Sequence, residues 1–146
     1  MLNISVANQC KRYRINCAKV SRSVADILRL IKKPVSTKLE ILLVDRKAMA
    51  KFNKRFTHRS YDTDVLSFRL SGYGLKRRFD IGQIIISLDM AKANAKRFSV
   101  TFEEELARYV VHGILHYFGY DDVTEKKKKR MFAKQEKIVK ILCKNS

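Results

Sequence analysis

The stretch Tyr109-Val110-Val111-His112-Gly113-Ile114-Leu115-His116-Tyr117-Phe118-Gly119-Tyr120 decides how this chain is read. Apart from tyrosine hydroxyls, its only polar side chains are the two histidines. A helix that is apolar on all sides is a buried helix, so this segment is expected to run through the core. Residues four apart share one helix face, with Cβ atoms roughly 5–6 Å apart. His112 and His116 are therefore held side by side in an apolar setting. Buried polar groups need partners, and a shared cation would supply one to both rings.

A lone H-x-x-x-H pair also arises by chance on helices, with the rings bonded to tyrosines or backbone. The residues that follow favour a metal. Gly119 can take a left-handed turn that ends the helix, and Asp121 and Asp122 come next. His112, His116 and Asp122 stand at offsets 0, 4 and 10, with Gly119 at offset 7. This is the ligand spacing of metzincin proteases, whose third ligand is a histidine. Three protein ligands leave an open coordination position, as in catalytic zinc sites. Position 113 is Gly, so the glutamate that serves as base in His-Glu-x-x-His proteases is missing.

Working outward, Thr101 and Glu104 have capping-box spacing, with Glu103 and Glu105 in the same first turn. They predict a helix from there to about Gly119. Leu88–Phe98 reads as a shorter helix, and Ile81–Ser87, rich in Ile, as a strand. Asp64–Leu70 reads as a strand with Leu66, Phe68 and Leu70 on one side. Ser71–Arg78, with Gly72 and Gly74, reads as the loop between those strands. Towards the N-terminus, Leu2, Ile4 and Val6 alternate as in a strand, and Leu39–Val44 is a buried strand. Val20, Val24, Ile27, Leu28 and Ile31 follow helical spacing, and Pro34 is expected to close that helix. Asp45 can cap a helix with Met49, Phe52 and Phe56 on one face. A last helix, Thr124–Leu142, turns Met131, Gln135, Ile138 and Leu142 inward. The expectation is an α+β fold, one domain over residues 1–146, with a mixed sheet of about four strands packed against helices.

Composition bounds the partners. The chain has 146 residues, 46% of them hydrophobic, enough for a core and too apolar for disorder. No run approaches the ~20 apolar residues of a membrane span. Met1–Ala7 alternates and does not read as a signal peptide. Cys10, Cys17 and Cys143 form no CxxC pair, and an odd count suits free thiols in a reducing cytoplasm. Lys and Arg total 32 against 14 Asp and Glu, a formal net charge of +18. Such an excess attracts polyanions, nucleic acid first among them. Charge alone does not separate a nuclease from a passive binder.

Three blocks then resemble one known family. Thr63–Phe68, TDVLSF, resembles the TDVLSFP signature of YbeY proteins. Ile81–Ser87, IGQIIIS, resembles their GDI-V-I-S strand, and His112–Asp121 is similar to H-G-x-L-H-x-x-G-Y-D. The blocks occur in the family's order. The resemblance implies a single-domain α+β fold and one bound metal, usually taken as zinc. It implies a single-strand-specific endoribonuclease of ribosomal RNA maturation and ribosome quality control, with RNA and ribosomal particles as partners. The family's third ligand, a histidine, is Asp122 here, a competent ligand that shifts preference towards harder ions. The Pro after Phe68 is Arg69, and the GDI aspartate is Gln83. The family's arginine upstream of TDVLSF aligns with Thr57, with Arg55 and Arg59 two residues either side.

These residues suggest metal-assisted phosphodiester cleavage, with Arg59 or Arg55 stabilising transition-state charge through a guanidinium fork. For each arginine, ordinary surface placement is the competing reading. Ser67 either lines a substrate groove or is a satisfied strand serine, and His58 is an acid–base candidate or an exposed loop histidine. The run Glu125–Arg130, EKKKKR, either grips RNA phosphates or is a solvated helix face; the reading preferred is a solvated face for some of its lysines and a general electrostatic role for the rest. Two other classes stay open: a non-catalytic RNA-binding assembly factor with a structural metal, and a metal-dependent hydrolase of another substrate.

Overall fold

A computed structural model describes residues 3–34, 38–57, 63–73 and 78–144, with side chains left out at 56–57, 71–73 and 78–80. The chain order is β1 (Ile4–Asn8), α1 (Cys17–Leu30), β2 (Leu39–Val44), α2 (Arg46–Thr57), β3 (Val65–Tyr73), β4 (Arg78–Ser87), α3 (Leu88–Arg97), α4 (Phe102–Tyr117) and α5 (Glu125–Lys144). The expected α+β class holds, with a four-stranded mixed sheet in the order β1-β2-β4-β3. β1, β2 and β4 run parallel, and β3 is antiparallel to β4 on the edge.

Strand alternation sorts the side chains into two layers. Ile41, Leu43, Ile84 and Ile86 face one side, where they join Ile27 and Leu28 of α1, Val111, Ile114 and Leu115 of α4, and Met131 and Ile138 of α5. Leu42, Val44 and Ile85 face the other side, against Met49 and Phe52 of α2 and Leu66 and Phe68 of β3. β4 is covered on both faces, and Ile84, Ile85 and Ile86 are all fully buried. That is why its sequence is a continuous apolar run instead of an alternating one. Each such side chain contributes about 1.5–3 kcal/mol of burial.

Side-chain caps start four of the helices, at Asp45 and Thr101 as the sequence predicts. Asn16, Asp45, Ser87 and Thr101 each accept a hydrogen bond from the backbone N–H three residues on. Two expectations need correction. Pro34 does not close α1, because Lys32 at φ 59° makes a left-handed turn in which Lys33 N–H reaches Leu28 O at 2.8 Å. Of the loop expected over Ser71–Arg78, the described residues are strand: pairing runs on through Ser71↔Asp80, Gly72↔Phe79 and Tyr73↔Arg78. The ladder outweighs Gly72 as a turn signal, and Gly74 lies outside the described residues. The same is true of Leu2, expected in β1, and of the Phe56 side chain, expected on the apolar face of α2.

Candidate metal centre

α4 carries both histidines, and two glycines let it lie on the sheet. A Cβ at Gly113 would sit 2.6 Å from Ile84 Cγ2 and 3.1 Å from Val65 Cγ1. At Gly82 of β4, a Cβ would sit 2.6 Å from Leu39 Cδ2 and 2.7 Å from Tyr117 Cζ. Ser67 fastens the contact, its Oγ donating to Gly113 O at 2.9 Å. Ser67 is therefore the satisfied strand serine. Position 113 faces the sheet, so the missing protease glutamate is a packing requirement: a side chain there would run into Ile84.

His112 and His116 stack with parallel rings, 7° between planes and 6.2 Å between centroids. The expected apolar burial is only half met. His112 is partly buried and His116 is exposed, whereas Val110, Val111, Gly113, Ile114 and Leu115 are buried. The histidines occupy the strip of α4 that sheet and core leave uncovered.

Each ring is held by a carbonyl. The helix ends in a left-handed turn: Gly119 has φ +100°, its N–H reaches His116 O, and Tyr120 N–H reaches Leu115 O, both at 3.1 Å. This reversal returns Tyr120 O to within 3.1 Å of His116 Nδ1. The Nδ1 of His112 lies 2.8 Å from Oε1 of Gln135, on α5. Carbonyl oxygens only accept, so each neutral ring carries its proton on Nδ1 and keeps Nε2 as a lone-pair donor. That is the arrangement metal-ligating histidines adopt. These two donors fit a divalent transition metal.

The third predicted donor is not brought to them. Asp122 is exposed beyond the Gly119 turn, and among the described residues no group of three His, Cys, Asp or Glu side chains is placed to hold an ion. Asp121 is a turn residue: its Oδ1 accepts from Val123 N–H at 3.1 Å and its Oδ2 lies 3.6 Å from Lys127 Nζ. Arg59 and His58 lie outside the described residues, and Arg55 is exposed near the end of α2.

Behind the histidines a polar chain crosses from α5 to the start of α4. Gln135, 7% exposed, donates through Nε2 to Glu136 Oε2 at 3.1 Å. Glu136 receives Arg108 Nε and Nη2, each at 2.9 Å. Arg108 also reaches Glu105 at 2.6 Å and Glu104 at 3.2 Å. The Glu136 hydrogen bond heads the causes that raise the Arg108 pKa. Burial pushes Glu136 up, but the Arg108 and Gln135 hydrogen bonds leave it below the usual carboxylate range. Helical periodicity places Gln135 only as an inward α5 residue. The signal it offers is an amide in an apolar stripe.

Basic and aromatic groups surround the α4 terminus. A cavity of about 310 Å³ is lined by Phe118, Gly119, Tyr120, Asp121, Lys127 and Arg130. The Arg69 guanidinium lies 5.1 Å from the Tyr117 ring centroid, and Lys33 Nζ lies 5.3 Å from that of Phe118. A larger cavity of about 490 Å³ lies between the starts of α1 and α4 and the end of α5, and neither histidine lines it.

A family model described as Endoribonuclease YbeY matches residues 5–143. Endoribonuclease YbeY of Petrotoga mobilis is 35% identical over 145 residues, covering 99% of this chain and 98% of the relative. Endoribonuclease YbeY of Syntrophus aciditrophicus is 33% identical over 123 residues, covering 81% and 74%. The solution structure of TM1509 from Thermotoga maritima has a TM-score of 0.64 at 28% identity and covers 97% of this chain and 89% of its own. With residues 5–143 matched by the family model and a relative aligned almost end to end, this chain belongs to the YbeY endoribonuclease family.

Proposed function

We propose that the chain is a metal-dependent endoribonuclease that cleaves single-stranded RNA in ribosomal RNA maturation and quality control. The observation that carries the reading is the pair of imidazoles on α4, both anchored through Nδ1 with Nε2 left to bind an ion. The names of its relatives supply the substrate class. His112 and His116 would hold the ion, Asp122 would swing in from its exposed position beyond the Gly119 turn as third ligand, and zinc is the first candidate because imidazole suits it. Bound there, a metal would supply Lewis-acid polarisation of a phosphoryl oxygen or a more acidic water.

The chain's own residues draw in the substrate and place it. The +18 charge draws RNA to the surface. Lys127 and Arg130, beside Phe118 and Tyr120, offer cations for phosphate and rings for unstacked bases at the turn that holds His116. Arg59 is the arginine proposed to stabilise charge on the reacting phosphate, with Arg55 as its substitute. The test pairs metal analysis of the purified protein with cleavage of matched single-stranded and duplex RNA. Metal-dependent cutting of the single strand supports the reading. Cutting that survives the double substitution of His112 and His116 by Ala refutes it.

A further inference from the structure

The two histidines are not held in the same way. His116 is oriented by backbone, through the Tyr120 carbonyl that the Gly119 turn brings back. His112 depends on one side chain from another helix, the Gln135 amide. An amide can face either way, and the two orientations have opposite consequences. With Oε1 towards the ring, Nδ1 must donate, and Nε2 holds the lone pair. With Nε2 of the amide towards the ring, Nδ1 must accept, and the imidazole proton moves to Nε2, where it blocks coordination.

The neighbours of Gln135 remove that freedom. Its NH2 group meets the Glu136 carboxylate at 3.1 Å, a group that only accepts. Glu136 is itself fixed by two bonds from Arg108 at 2.9 Å, and Arg108 is clamped by Glu105, which is 3% exposed, and by Glu104. A flipped amide would turn its carbonyl oxygen onto the carboxylate and leave the NH2 aimed at the ring. The order of donors and acceptors therefore runs one way from α4 through α5 and back to α4.

We propose that Gln135 is a positioning residue that sets the tautomer of His112, with Glu136 and Arg108 fixing the direction of its amide. The tautomer claim stands without any metal. Its consequence, a tighter ion, rests on the function proposed above. Removing the acceptor frees the ring to share its proton between both nitrogens, and metal affinity falls because part of the population must first change tautomer and because the ring loses the partner that orients it and raises its basicity. Losses of this kind are typically 10–100-fold for partners of metal-ligating histidines.

The test uses the full chain with Gln135→Met, close in shape but lacking the acceptor, and Gln135→Glu, which keeps an acceptor oxygen. Circular dichroism and thermal melts establish that both fold. Long-range 15N–1H correlation spectra of the metal-free protein, taken well above the ordinary imidazole pKa of ~6.5, read the tautomer directly. Chelator competition with Zn2+ alone reads affinity. The parent and Gln135→Glu should show His112 protonated at Nδ1, and Gln135→Met a mixture, with His116 unchanged in all three. Zn2+ affinity should fall about 10–100-fold in Gln135→Met and recover in Gln135→Glu. A parent His112 protonated at Nε2, or a Gln135→Met spectrum like the parent's, overturns the proposal. If the tautomers behave as stated and even the parent binds no Zn2+, the metal reading fails and the role of Gln135 stands.

Discussion

Gly113→Ala is the sharpest probe of how α4 is seated. The added Cβ would lie 2.6 Å from Ile84 Cγ2, 3.1 Å from Val65 Cγ1 and 3.4 Å from Ser67 Oγ. Carbon atoms prefer 3.5–4.0 Å, so helix and strand must separate locally by roughly 1 Å. Ile84 cannot swing aside: it is β-branched, fully buried and in the central part of the sheet. Overpacking of this kind costs about 1–3 kcal/mol, and a stiff, enclosed neighbour places it near the upper end. Ala is the better helix former by about 1 kcal/mol, which offsets part of that. The net expectation is a loss of about 2 kcal/mol. For a chain of this size that lowers the melting temperature by about 4–8 °C. Urea denaturation with an unchanged slope is the assay, and the same displacement of α4 should weaken Zn2+ binding. A Gly113→Ala variant as stable as the parent, or more stable, would refute the contact between α4 and β4 on which the site is built.

Metal analysis should give about one ion per chain, and His112→Ala or His116→Ala should abolish tight binding; a double variant that keeps its metal removes the site assignment. Asp122→Ala should weaken Zn2+ binding without loss of fold, and Asp122→His should raise zinc preference, whereas Asp121→Ala should chiefly loosen the turn onto Val123; titrations in which only the Asp121 variant loses metal would reassign the third ligand. Asp89 receives Arg46 N–H at 2.7 Å, Tyr13 Oη at 2.8 Å and Arg12, and these bonds outweigh burial and lower its pKa. Its stabilisation is therefore full above the ordinary carboxylate pKa of ~3.9 and is lost as pH falls through the depressed value. Asp89→Asn should cost about 1 kcal/mol at neutral pH, and urea melts should show the difference shrinking in acid; a constant difference contradicts the sign. RNA binding should weaken by orders of magnitude as salt rises several-fold, and Arg130→Ala should reduce the log–log slope by ~1; salt-insensitive affinity rules out phosphate contacts as its source.

The sequence by itself determined the local matters. Capping side chains at Asp45 and Thr101 mark helix starts because they act on N–H groups only three residues away. The 3.6 period put His112 and His116 on one face of α4, and Gly119 announced the turn that ends it. Periodicity says that a face is covered and is silent about what covers it. The tertiary structure alone decided that position 113 meets Ile84, where only Gly fits without overpacking. It alone showed that the helix turns its histidine strip outward, with His116 exposed. The Gln135 amide lies 23 residues from His112 in the chain and meets it only because α5 packs on α4. A donor–acceptor direction depends on the angles between distant groups, and no spacing along one segment encodes it.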